Sequence, residues 1–90
     1  KFAAFAVGKF GLRALAQSMA RELGSQGVHV AYINIDGGID SERARERAKD
    51  KPDDALMSPD AIAETYFQLH MQHRSAWAQE VDLRPWVESF

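Results

Sequence analysis

Phe5 and Lys9 stand four residues apart, so on a helix they lie one above the other on the same face. The neighbours of Lys9 are apolar, which leaves its ammonium two courses. It snorkels to water along its own methylenes, or it meets a fixed partner. In a site, an ammonium held this way hydrogen-bonds ligand hydroxyls and lowers the pKa of a nearby phenol. A second candidate is Asp36-Gly37-Gly38-Ile39-Asp40-Ser41. Two adjacent glycines after an apolar run allow either a tight turn or the close approach of backbone to a ligand. In open α/β sheets, ligands gather at the carboxyl ends of strands. Backbone N–H groups there can meet an amide or a phosphate.

Other chemistry-bearing residues point to blander roles. His70 and His73 have a spacing that can share a metal on a helix, but no third histidine or matching carboxylate accompanies them, and no metal site is expected. His29 is expected to be a satisfied polar residue in or beside a strand. Asp36 and Asp40 form a carboxylate pair with nothing to separate acid from base, so capping is the expected role. The charged segment Glu42–Lys51 reads as a solvated face. Glycine-rich phosphate loops, Walker motifs and a supported Ser/His/Asp constellation are all missing.

These candidates need elements to position them. Phe2–Leu23 is predicted helical, with Phe5, Lys9, Leu12, Ala16, Met19 and Leu23 along one face. Its first half, Phe2–Phe10, is apolar nearly all round and requires cover on every side. Gly24 is the expected left-handed cap. Val28–Ile35 is rich in β-branched residues and reads as a strand buried on both faces, as in parallel sheets. Asp40 or Ser41 can cap a short helix over Glu42–Lys49. A mobile loop is expected over Asp50–Met57. Ser58-Pro59-Asp60 starts a helix running to about Gln72, with Ile62, Tyr66, Leu69 and His73 on one face. Trp77–Leu83 alternates as a last strand, stopped by Arg84-Pro85, and Trp86, Val87 and Phe90 form an apolar tail. The order helix–strand–helix–helix–strand is that of an α/β chain. It implies a right-handed crossover onto a parallel sheet, incomplete with only two strands.

Composition narrows the classes. Ninety residues with 46% hydrophobic content make a small globular unit or a piece of a larger one. With 11 basic and 13 acidic residues the net charge is -2, which offers no footprint for nucleic acid or an anionic membrane. The absence of cysteine excludes disulfides and thiolate metal sites. The longest apolar run, near Phe2–Gly8, is far short of a membrane span, and no secretory signal is visible. The chain opens at Lys1, without Met, directly in helix-forming sequence, and is expected to be the C-terminal piece of a larger domain.

The stretch from Phe5 to Leu23, with Gly8-Lys9 at its centre, resembles the active-site helix of the short-chain dehydrogenase/reductase family. Gly27-Val28-His29-Val30 is similar to the entry of that family's sixth strand. Asp36-Gly37-Gly38-Ile39-Asp40-Ser41 resembles its Pro-Gly-x-Ile/Val-x-Thr loop. Ser58–Ala63 resembles the start of its penultimate helix, and Glu80–Pro85 its last strand. The resemblance implies one Rossmann-like, doubly wound parallel domain. Residues 1–24 would be its active-site helix, 28–41 a strand and nicotinamide-side loop, and 58–90 the last helix, strand and tail.

The same resemblance implies an oxidoreductase that moves hydride between NAD or NADP and an alcohol or carbonyl substrate, in the cytoplasm. Lys9 matches the lysine of the family's Tyr-x-x-x-Lys pair, which holds the nicotinamide ribose. Phe5 occupies the tyrosine position and has no proton to give. Gly37, Ile39 and Ser41 match the cofactor-binding loop, where Asp36 replaces the usual proline. A homodimer or homotetramer through the Phe2–Leu23 helix and the last helix and strand is implied, with Trp77, Trp86 and Phe90 as anchors. The alternative is a degenerate, non-catalytic relative kept for cofactor binding or subunit assembly.

Overall fold

The computed structural model describes Lys1–Ser89. Its elements run α1 (Ala3–Leu23), β1 (Tyr32–Ile35), α2 (Glu42–Arg47), α3 (Pro59–His70) and β2 (Glu80–Leu83), with short 3-10 turns at Gly24–Gln26 and Arg74–Ala76. This is the α/β order read from the sequence. β1 and β2 pair in one sheet. The Tyr32 N–H donates to the Gln79 carbonyl and the Asp36 N–H to the Leu83 carbonyl. Both partners advance together along the chain, so the pair is parallel. Phe90, one of the expected aromatic anchors, lies outside the described residues.

The chain forms two compact units. The first comprises Lys1–Tyr32 with Gln72–Val81. Within it, α1 is rich in alanine, which favours a long helix. It ends in a Schellman motif: Gly27 N–H bonds the Gly24 carbonyl at 3.0 Å and Val28 N–H bonds the Leu23 carbonyl at 3.2 Å. The left-handed residue is Gly27, at φ 85°, and not Gly24, which stays right-handed at φ -57°. The helix tightens into a 3-10 turn through Gly24–Gln26 before it stops, and this moves the cap three residues on. His29 stacks on Trp77 with ring centroids 4.6 Å apart and planes 4° from parallel. Its Nε2 lies 2.8 Å from the Ala78 carbonyl, an acceptor, so this nitrogen carries the proton.

The second unit comprises Ile33–Met71 with Asp82–Phe90, less the undescribed Phe90. It holds the buried residues Ala55, Leu69 and Pro85. α3 starts as its sequence dictates: Ser58 Oγ accepts from the Ala61 N–H at 3.2 Å, and Pro59 takes the first helical position. Its covered face is Ile62, Thr65 and Leu69, while Tyr66 is exposed. The helix stops at His70, and Asp50–Met57 is irregular but anchored. Ala55 is buried there, and Met57 pairs with the Gly38–Asp40 backbone.

The strand reading needs correction. Only Tyr32–Ile35 of Val28–Ile35 is paired, none of the four is buried, and Asn34 is exposed. β1 has one hydrogen-bonded neighbour among the described residues, so its second edge has no partner to extend or cover it. The last strand is likewise shorter, Glu80–Leu83, but keeps the expected alternation.

Candidate functional site

In the first unit, the Lys9 Nζ sits 5.6 Å from the centre of the Phe5 ring. Helical spacing alone produces this, because positions i and i+4 stack. Such an exposed cation–π contact contributes about 0.5–1 kcal/mol and leaves the ammonium open to solvent. Among the described residues, the Lys9 ammonium forms no ion pair and donates no hydrogen bond. Phe2, Phe5, Val7, Phe10, Leu12 and Leu15 are all more than half exposed. The better-covered positions of α1 are Ala6, Ala16, Gln17, Ala20 and Leu23, so the Phe5–Lys9 stripe lies largely in the open.

A polar clamp ties α1 down. Arg13 binds Glu80 through two bonds, Nε to Oε1 at 2.7 Å and Nη2 to Oε2 at 3.0 Å. Gln17 Nε2 donates to Oε1 of the same carboxylate at 2.7 Å. First the Arg13 bond and then the Gln17 bond favour the ionised form, and they lower the Glu80 pKa to about 2. In the sequence, Arg13 and Gln17 are simply polar residues of the helix. Their i, i+4 spacing was the one available sign of a shared partner. Nothing local announced a partner 67 positions away for Arg13.

In the second unit, Gly37 adopts φ +152° and lies against Pro85. A Cβ built on Gly37 would stand 2.5 Å from Pro85 Cδ. The close approach allowed by the first glycine is therefore to a proline ring. Asp40 N–H donates to the Met57 carbonyl and Met57 N–H to the Gly38 carbonyl, each at 2.8 Å. That isolated parallel bridge uses the groups flanking Ile39, so the N–H and C=O of Ile39 itself face the opposite side. Neither makes a hydrogen bond among the described residues. Ser41 caps α2, its Oγ accepting from the Ala44 N–H at 3.1 Å.

The two aspartates are occupied separately. Asp36 accepts from Arg84 Nη2 at 2.7 Å. Asp40 takes Arg45 through Nε at 2.7 Å and Nη2 at 3.0 Å, and this bond holds its pKa below the usual carboxylate value. Capping thus falls to Ser41, because the fork of Arg45 claims both oxygens of Asp40. His73 is not on α3. It sits past the helix end, where its Nδ1 accepts from the Ser75 N–H at 3.2 Å. No cluster of three or more His, Cys, Asp or Glu side chains able to hold a metal occurs among the described residues. No helix among them is long and apolar enough to cross a membrane. Phe5 and Lys9 thus stand together in one unit, and Gly37, Ile39 and Ser41 in one turn of the other.

No protein-family model and no curated protein matches this chain. Among solved structures, it is similar to a short-chain dehydrogenase from Rhodopseudomonas palustris, with 45% identity and a TM-score of 0.68. The similarity covers 94% of this chain and 31% of that one, so the chain spans less than a third of the length of the structure it matches.

Proposed function

We propose, for a chain that belongs to the short-chain dehydrogenase/reductase family, that the protein moves hydride between a nicotinamide cofactor, NAD or NADP, and an alcohol or carbonyl compound. The likeness to a dehydrogenase over nearly all of this chain is the observation that carries this reading. This segment corresponds to the C-terminal part of one Rossmann-like domain and supplies the lysine helix and the turn on the nicotinamide side.

The residues present suit such a cofactor. The unpaired, solvent-facing ammonium of Lys9 can donate to ribose hydroxyls. The free N–H and C=O of Ile39 match the acceptor and donor of a carboxamide. Ser41 accepts through Oγ from Ala44, which leaves its own hydroxyl proton to donate. Gly37 lets the turn take its course. When bound, the nicotinamide gives or takes the hydride. Phe5 cannot supply the proton that accompanies it, so the proton is carried by a water held on Lys9. Assembly as a homodimer or homotetramer would cover the exposed apolar stripe of α1, and the family resemblance points to the cytoplasm.

The test is titration of NADH and NADPH into the full chain, with hydride transfer measured alongside. Lys9→Ala is expected to weaken cofactor binding about tenfold or more, the usual cost of losing a charged hydrogen bond. Unchanged affinity and rate would remove Lys9 from the site. Phe5→Tyr is expected to raise carbonyl reduction, since a positioned acid contributes about 10²–10⁴-fold. Cofactor binding with no turnover in either form would establish the non-catalytic alternative.

A further inference from the structure

α2 carries more positive charge than its own fold uses. Arg45 is taken by Asp40, but the side chains of Arg43, Arg47 and Lys51 form no ion pair or hydrogen bond among the described residues. The three stand at intervals of four residues, and all line one open hollow of about 570 Å³ within the second unit. Gly38 and Ser41 form part of the same wall, and Glu88 is the single carboxylate among its lining residues. Like charges at i and i+4 repel, and Arg43 stands in the first turn of α2, where a cation opposes the helix dipole. Both penalties vanish when an anion sits between the guanidiniums, whose planar forks fit carboxylate and phosphate oxygens.

We propose that Arg43, Arg47 and Lys51 form an oxyanion-binding site that takes a carboxylate or phosphate group of the substrate. The oxyanion site stands on the geometry of the second unit alone. Its assignment to the substrate rests on the dehydrogenase reading, through the shared wall residues Gly38 and Ser41. The carbonyl or alcohol compound would then be an acid or a phosphate ester.

The experiment titrates inorganic phosphate into the full chain at low ionic strength, followed by calorimetry, with and without saturating nicotinamide cofactor. Arg43→Gln/Arg47→Gln is expected to weaken phosphate at least tenfold. Glu88→Gln is expected to tighten it by removing the one opposing charge. Arg45→Gln, whose partner is Asp40, should leave it unchanged, which separates the site from general surface charge. Phosphate affinity unaltered in the double variant, or absent in the unsubstituted chain, overturns the proposal. Competitive displacement of phosphate by the cofactor overturns the substrate assignment, because the cofactor's own phosphates would then fill the site. Retained phosphate binding in a chain that binds neither cofactor supports the oxyanion site and removes the dehydrogenase reading instead.

Discussion

The helix that carries Lys9 and the turn that carries Gly37 are held by opposite means. α1 is the longest element, yet it has no buried residue and no side-chain cap at its start. A long-range polar tie, the clamp of Arg13 and Gln17 on Glu80, holds it. The turn at Gly37 is short and irregular, yet a proline ring, a backbone bridge and the Asp36–Arg84 and Asp40–Arg45 pairs fix it. The longer element leaves its apolar side chains exposed, whereas the shorter one is locked by its immediate neighbours.

The comparison breaks most sharply at Gly37. Gly37→Ala places a methyl 2.5 Å from Pro85 Cδ at a backbone φ of +152°, which an L side chain rarely adopts. Strain of this kind costs about 1–3 kcal/mol, and overpacking a further 1–3 kcal/mol, so the loss should reach about 3 kcal/mol or more. Chemical denaturation of the full chain measures it. Gly38→Ala is the sharpening control, because its added methyl meets only the mobile end of Leu56. Equal losses at the two glycines would show that the turn is not locked by Pro85.

Much of this is legible in the sequence. Helix starts such as Ser58-Pro59-Asp60 announce themselves because capping is local chemistry. The alternation of Glu80–Leu83 survives because the side-chain period of a strand is local too. What the sequence hides is partnership at a distance. Val28–Ile35 reads as a buried strand, but its paired length depends on how much neighbouring strand lies beside it. Nothing in Gly37-Gly38 names Pro85 as the ring that needs the space, and nothing in Glu80 names Arg13. For the candidate site, Phe5–Lys9 follows from helical spacing alone. The free backbone groups of Ile39 emerge only once Met57 takes the groups on either side.

A middle-sized effect separates the two roles of Ser41. Ser41→Ala removes the cap from a helix of only 6 residues, at a cost of about 1 kcal/mol. Ser41→Asp restores a capping oxygen but replaces the hydroxyl donor with a carboxylate. If Ser41 only caps, aspartate rescues both thermal stability and cofactor affinity. If its hydroxyl also meets the cofactor, stability returns and affinity does not.

The smallest effect lies in the clamp on α1, and its pH dependence has a definite sign. Glu80 has an ordinary pKa of 4.5 and a folded value of about 2, so folding favours its charged form. Its contribution is complete above pH 4.5 and is lost as pH falls from there towards 2. The cluster is partly exposed, so water and salt screen it and its effect on stability is far below what the shift alone would suggest. Thermal unfolding between pH 5 and pH 2 should therefore show a shallow loss that Glu80→Gln flattens and that added salt reduces. The same substitution should leave the Gly37→Ala penalty untouched, because Glu80 acts in the first unit and Gly37 in the second. Non-additive losses in the double variant would mean that the clamp on α1 also supports the turn, and the contrast between the two regions would fail.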